Sequence, residues 1–354
     1  MPIVLAPKSV RESNMELLRI VAMYMILVYH VVFYELYDYR ANDPVFASLV
    51  TVLHIGVPLF VLISGYFGIK PTLKGFLKLY LALLFYNLLF YAIRCLLGDV
   101  QFSLKPFVKL FFPFSIGKRW WFFKVYLMLY LISPVVNYYR DKTGGGKLLL
   151  VSGVLTFYWG WFAHHPSLSD GKNVVNFIFL YMLGHWLHTM VDTRGGRIQN
   201  RIWYIIAYLA VAGGIGAFLF FANENMQNIL KRICYGYNSP VLILMSILFF
   251  LIFTTFKFQN KIVNWIGIST LAVYCVHENN YFFRNEWYAY FEELYLSGTN
   301  AFPFILLGAC ACLFILCILL DKVRDMVTRP LINPIESFLM KHSQKYVDRL
   351  VQKV

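Results

Sequence analysis

Residues 17–36 read LLRIVAMYMILVYHVVFYEL, and this stretch decides the fold. As an α-helix it rises about 30 Å, the thickness of the hydrocarbon core of a bilayer. It is too long for the core of a cleaved signal peptide, and no small-residue cleavage site follows it. It therefore reads as a signal anchor. Lys8 and Arg11 precede it and orient its N-terminal end towards the cytoplasm, because basic residues favour that side.

Similar runs recur outward from this one to the end of the chain. They fall near residues 46–67, 78–97, 120–139, 148–163, 174–190, 202–221, 238–256, 262–281 and 302–320. Hydrophobic residues make up 59% of the 354 and charged residues 14%, against about 25% charged in a soluble domain. The expected fold is all-α, a polytopic membrane bundle of about ten transmembrane helices with both termini inside. Residues 1–321 form one membrane domain. The mixed basic and apolar stretch 322–354 is expected to lie along the inner surface as an amphipathic tail.

The net charge of +14 does not indicate nucleic-acid binding. The basic residues gather in the expected inner loops and the tail, where membrane insertion and anionic lipid headgroups account for them. Lys118, Arg119 and Lys124, near an outer boundary, run against this bias. The six cysteines have no ligand spacing and read as small buried hydrophobes, so no metal site or disulfide framework is expected. Gly144-Gly145-Gly146-Lys147 lacks the spacing of a phosphate-binding loop and reads as a turn. His164, His165 and Asp170 fall in an outer loop, while His185 and His188 sit near an inner helix end with an interfacial role.

Ionisable groups inside a span are costly, and their first reading is functional. Arg19 and His30 are 11 residues apart, which is three turns plus about 20°, so both lie on one helix face roughly 16 Å apart along the axis. Glu16 shares that face one turn earlier. A histidine at this depth suits proton exchange near neutrality. The alternative is a structural histidine with a snorkelling arginine.

The second run contains His54 and ends in Val57-Pro58-Leu59-Phe60-Val61-Leu62-Ile63-Ser64-Gly65-Tyr66-Phe67. Here the chain resembles the acyltransferase-3 family of membrane acyltransferases, which includes bacterial surface-polysaccharide O-acetyltransferases. The first helix of that family carries an acidic residue, then Arg after two residues, then His after ten more. Glu16, Arg19 and His30 match it. The second-helix patch is matched from Val57 to Tyr66. A fourth-span patch is matched by Trp121-Phe122, Ser133-Pro134 and Asn137, and a late helix by Ile266-Gly267, Ser269, Tyr274 and His277. Family members often carry paired arginines after the second helix, where this chain has Lys70, Lys74 and Lys78; lysine lacks the bidentate fork of arginine.

The resemblance implies an O-acyltransferase of the bacterial inner membrane. Acyl-CoA, with acetyl-CoA foremost, is the implied cosubstrate and no cofactor stays bound. The implied acceptor is a hydroxyl of a surface polysaccharide or its lipid-linked precursor. His30, with Arg19 and Glu16, would form the catalytic helix. Lys70, Lys74 and Lys78, with Ser64, Gly65 and Tyr66, would form the donor site, the lysines meeting phosphates as a positive collar. His54, Trp121, Tyr274, His277 and Glu278 are expected on the acceptor side or in support, Thr270, Tyr274, His277 and Glu278 sharing one helical face. No SGNH esterase-like domain follows in this sequence, so the membrane domain or a partner would complete the transfer. Rival readings are a secondary transporter or lipid-linked glycan flippase, and a non-catalytic component of a polysaccharide export assembly. Transporters usually show repeats with broken helices, and no repeat is evident.

The orientation is open to direct test. Cysteines placed at Asp170 and Asn223 should react with an impermeant thiol reagent added outside, and those at Lys74, Gly145 and Gly195 should not. Outside labelling at Gly145 would exchange the donor and acceptor sides.

Overall fold

A backbone in hydrocarbon must satisfy its own hydrogen bonds, and a helix does this within one segment. The computed structural model describes residues 11–40, 44–112, 120–193, 201–221, 234, 236–279 and 281–351, and no strand occurs among them. The helices are α1 (Ser13–Arg40), α2 (Pro44–His54), α3 (Gly56–Phe67), α4 (Leu73–Leu96), α5 (Leu104–Leu110), α6 (Trp121–Thr143) and α7 (Gly146–Val154). There follow α8 (Val174–Thr193), α9 (Arg201–Phe221), α10 (Pro240–Thr254), α11 (Lys261–Gly267), α12 (Thr270–His277), α13 (Arg284–Leu296) and α14 (Phe302–Val351). The positions of Lys8, Lys118, Arg119, Arg194, Gly195, Arg197, Asn223 and Lys353 lie outside the described residues.

Among the described residues, six segments are long and apolar enough to cross a membrane: Ser13–Tyr34, Ser48–Phe67, Leu73–Leu96, Val174–Asp192, Arg201–Phe218 and Phe302–Pro330. The chain is an integral membrane protein. The other four expected spans correspond to shorter, more polar or broken helices: α6, α7, α10 and the pair α11–α12.

Two expected single helices are interrupted, each for a local reason. The second run breaks at Ile55, between α2 and α3. Pro58 has no N–H to give the carbonyl of His54, and Gly56 lies so close to α1 that a Cβ there would be 2.8 Å from the Ala22 carbonyl oxygen. The ninth run breaks at Ile268–Ser269, where the Thr270 hydroxyl takes up the Gly267 carbonyl at 3.0 Å. The helix α7 continues as a π-helix over Leu155–Phe162. Gly144 and Gly145 make the turn before it, both at positive φ (72° and 73°), a conformation that glycine adopts without steric cost.

The fourth-span patch repairs its own proline and then holds a loop. Pro134 leaves the carbonyl of Tyr130 without its helical donor, and the Ser133 hydroxyl donates to it at 2.8 Å. One turn on, Asn137 donates to the Ile69 carbonyl at 2.8 Å and accepts from the Tyr181 hydroxyl at 2.7 Å. The same hydroxyl receives the Ile69 N–H at 2.9 Å. The Tyr130 hydroxyl holds both N–H and C=O of Thr72. The loop between α3 and α4, which carries Lys70, is therefore pinned to α6 and α8.

The helix α1 runs through the middle, packed against α2, α3, α10, α11, α12, α13 and α14. The tightest helix pair is α3 with α8. A Cβ on Gly65 would fall 2.7 Å from the Tyr181 carbonyl carbon, and one on Gly184 would fall 3.0 Å from the backbone of Leu62 and Tyr66. Lipid tails give helices no hydrophobic reason to associate, so close backbone approach at small residues carries the contact. Either Gly65→Ala or Gly184→Ala should cost about 1–3 kcal/mol. The loss would appear as a lower melting temperature of the detergent-solubilised protein. Gly213→Ala, where nothing lies within 4 Å, should melt like the parent.

Candidate active site

Two histidines from opposite ends of the chain meet inside the bundle. His30 on α1 and His277 at the last turn of α12 are both buried, with His30 Nδ1 2.8 Å from His277 Nε2. His277 Nδ1 lies 2.5 Å from the carbonyl oxygen of Val273. A carbonyl only accepts, so His277 Nδ1 carries a hydrogen. In the neutral ring its Nε2 is then the acceptor, and His30 Nδ1 must donate to it. This pattern leaves Nε2 of His30 as the basic nitrogen of the pair. Glu278, just past the end of α12, brings Oε1 to 3.2 Å from His30 Nδ1 and Oε2 to 3.4 Å from Arg284 Nη1. The Arg284 guanidinium sits 4.8 Å from the ring of Tyr34 and 4.9 Å from that of Tyr288.

His30, His277 and Glu278 have the composition of a zinc site, their ligand atoms lying within 4.8 Å of one another. Two nitrogens on one tetrahedral zinc, at about 2.0–2.1 Å each, stand about 3.3 Å apart. Here they are 2.8 Å apart and Arg284 already bonds Glu278. The spacing fits a shared hydrogen better than an ion.

Two cavities meet at this cluster, and a third adjoins the first of them. The central one, about 310 Å³, is walled by Met23, His30, Trp121, Tyr237, Tyr274 and Glu278 among others. A second of about 270 Å³, outer in the expected orientation, shares His30, Tyr34, Trp121, Lys172 and Tyr237 with it and adds His54, Trp161, His164 and Asp170. A third of about 320 Å³, inner in that orientation, is lined by Arg11, Arg19, Ser64, Tyr126 and Thr270, and shares Phe60 and Phe122 with the central chamber. Trp121 thus faces the central and outer chambers, while Phe122 stands at the partition to the inner one.

Glu16 and Arg19 occupy the inner end of α1, well away from the imidazoles. Glu16 is 3% exposed and accepts from Arg11 at 3.0 Å and from Arg19. Gly267 leaves the room its carboxyl fills, since a Cβ there would lie 2.9 Å from Glu16 Cβ. Glu16 therefore sets the two guanidiniums rather than touching His30.

The remaining sequence candidates divide. Ser64 reaches the inner chamber and bonds Tyr126 at 3.2 Å. Gly65 is the contact with α8. Tyr66 lines a separate inner pocket with Lys257 and Gln259 and meets His188 edge-on at 4.6 Å. Lys70 and Lys78 are exposed and Lys74 is half-buried; none of them lines the inner chamber. His54 stacks on Tyr29 at 4.6 Å and meets Tyr237 at 4.3 Å. Its Nδ1, like Nε1 of Trp161, is buried without a hydrogen-bond partner. Tyr274, His277 and Glu278 all reach the cluster, although Glu278 does so from beyond the helix end. Sequence reasoning passed over Arg284, Lys172 and Tyr237. The first two carried a signal, being basic residues on the expected outer side, against the inward bias.

The fold and the site define an integral membrane protein with a buried His30–His277–Glu278 cluster at the wall of its central chamber. The chain matches the family model described as "Acyltransferase domain" over residues 12–321. It belongs to the acyltransferase-3 family. No curated protein and no solved structure matches it.

If His277 sets the tautomer of His30, His277→Ala should slow acyl transfer about 100-fold, the scale of a disabled general base, while the purified protein stays monodisperse. Turnover within threefold of the parent would remove His277 from the pair.

Proposed function

We propose that this protein is an O-acyltransferase that carries an acyl group, acetyl foremost, from cytoplasmic acyl-CoA to a hydroxyl of a surface polysaccharide or its lipid-linked precursor. It would do so in the inner membrane of a bacterium, with ten spans, both termini inside and residues 322–354 along the inner surface. The observation that carries this reading is a series of three chambers, two of them walled by His30 and the third joined to the central one at Phe60 and Phe122, within a chain of the acyltransferase-3 family.

The donor's phosphates meet Arg11 and Arg19 at the inner chamber, with Lys70, Lys74 and Lys78 as an electrostatic collar beyond them. The pantetheine arm runs past Ser64 and between Phe60 and Phe122. The Arg19–His30 separation, roughly 16 Å along the helix, suits a thin, extended arm. The thioester then lies beside His30. The acceptor enters the outer chamber, where unpartnered His54 Nδ1 and Trp161 Nε1 are supplied with partners by hydroxyls of a sugar. Nε2 of His30 takes the proton of the attacking hydroxyl as its oxygen bonds to the acyl carbon. The C–S bond breaks, and the CoA thiolate recovers the proton from the imidazolium. His277 and Glu278 hold the imidazolium while it exists, as the orienting members of catalytic triads do.

Purified protein incubated with acyl-labelled CoA and a glycan acceptor tests this reading. His30→Ala should abolish transfer with normal insertion, and Arg19→Lys should raise the KM for acyl-CoA because it loses the fork. Binding or flux of the glycan without loss of the thioester would overturn it. Lys74→Gln with Lys78→Gln should raise the acyl-CoA KM in a salt-dependent way; an unchanged KM would confine phosphate binding to Arg11 and Arg19. Glycan analysis of a deletion strain would name the acyl group and the acceptor.

A further inference from the structure

We propose that Arg94, at the outer end of α4, is a positioning residue for the transfer: it clamps the segment after Glu278 and so sets Arg284 against the catalytic cluster. This inference rests on the role given above to Glu278 and His30.

One face of α4 receives Asn279 and residues 281–283. Asn87, Phe90, Tyr91 and Arg94 follow the spacing of a single helical stripe. Asn279 donates to Asn87 Oδ1 at 2.9 Å and accepts the N–H of Tyr281 at 2.8 Å. Phe282 packs on Phe90 at 5.4 Å and Tyr281 on Tyr91 at 5.0 Å. Arg94 completes the stripe with every nitrogen engaged. Nε donates to the Tyr281 carbonyl at 3.2 Å, Nη1 to Asp99 at 2.7 Å and Nη2 to Glu286 at 2.7 Å. The guanidinium also lies 4.2 Å from the ring of Phe283. Glu286 is held below the ordinary carboxylate range by a backbone hydrogen bond and then by Arg94, so the pair stays charged at neutral pH.

Arg284 lies between these anchor points, one residue from Phe283 and two from Glu286. A tight turn, with Arg284 N–H 2.6 Å from the Phe282 carbonyl, directs it the other way, towards Glu278. Four contacts on one planar group are more than a surface ion pair offers, since an exposed pair contributes only about 0–1 kcal/mol. Arg94 itself never reaches the chambers. Its effect passes through the position of Arg284.

The test is the steady-state kinetics of Arg94→Gln, Arg94→Lys, Glu286→Gln and the Arg94→Gln/Glu286→Gln double variant, with Arg284→Gln alongside. Arg94→Gln should lower kcat about tenfold, the scale of a small misplacement of a catalytic group. The acyl-CoA KM should stay unchanged, because the donor arrives from the other side. Glu286→Gln, at a largely exposed residue, should lower kcat several-fold in the same direction, and Arg94→Lys should recover part of the loss. The double variant should be no slower than Arg94→Gln, as expected for partners in one interaction. If Arg94→Gln proves unstable in detergent, Glu286→Gln alone decides. A kcat within twofold of the parent in both single variants, with Arg284→Gln impaired, would overturn the role of Arg94 and leave the site standing. An unimpaired Arg284→Gln would overturn the site reading and this inference together.

Discussion

A polar group sealed inside a membrane protein must find its partner within the protein, because no water is there to replace it. The helix α1 carries two such groups, Glu16 in its first turn and His30 further along, and α11–α12 meets both. Gly267 gives the Glu16 carboxyl its space, and His277 receives the Nδ1 hydrogen of His30. The two segments, far apart in the chain, are thereby held in one register. A slide of either helix by one turn would part His30 from His277 and push the Glu16 side chain against a residue larger than Gly267.

Hydrogen bonds of this kind specify more than they stabilise. Between membrane helices each contributes about 0.6 kcal/mol on average, whereas a substitution that overpacks a tight contact costs about 1–3 kcal/mol. The close approaches at Gly56, Gly65, Gly184 and Gly267 therefore dominate the cohesion of the bundle. The polar pairs select which of the possible packings is adopted. The division explains why family-like patches that look chemical in sequence serve different ends: Gly65 is a packing contact, Ser133 and Asn137 repair and fasten backbone, and His30 with His277 form the pair proposed to react.

Much of this was legible in the sequence, and the reasons for the rest are physical. The shared face of Glu16, Arg19 and His30 followed from helical periodicity, which holds wherever a helix is unbroken. The stripe through Thr270, Tyr274 and His277 survived for the same reason, one turn per step along α12. Periodicity could not anticipate the breaks at Ile55 and at Ile268–Ser269, which depend on what lies against Gly56 and on the hydroxyl of Thr270. Nor could it reach Arg284: beyond the last turn of a helix, side-chain direction depends on the surface that receives the loop, and here that surface is the far side of α4. The three lysines after the second helix were legible as charge but not as geometry. The inner chamber instead takes its cations from Arg11 and Arg19, drawn together by the Glu16 carboxylate.

The loop between α3 and α4 has a further consequence. Its backbone at Ile69 and Thr72 is bound by Asn137, Tyr181 and Tyr130, with no ligand needed to order it. Fixing a free residue costs about 1–2 kcal/mol in conformational entropy, and an unfastened loop would charge that cost to each arriving anion. Here the cost is met once, during folding. The backbone on the Lys70 side is thus pre-organised, and the acyl-CoA phosphates proposed to arrive there would lose none of their binding free energy to ordering that part of the chain.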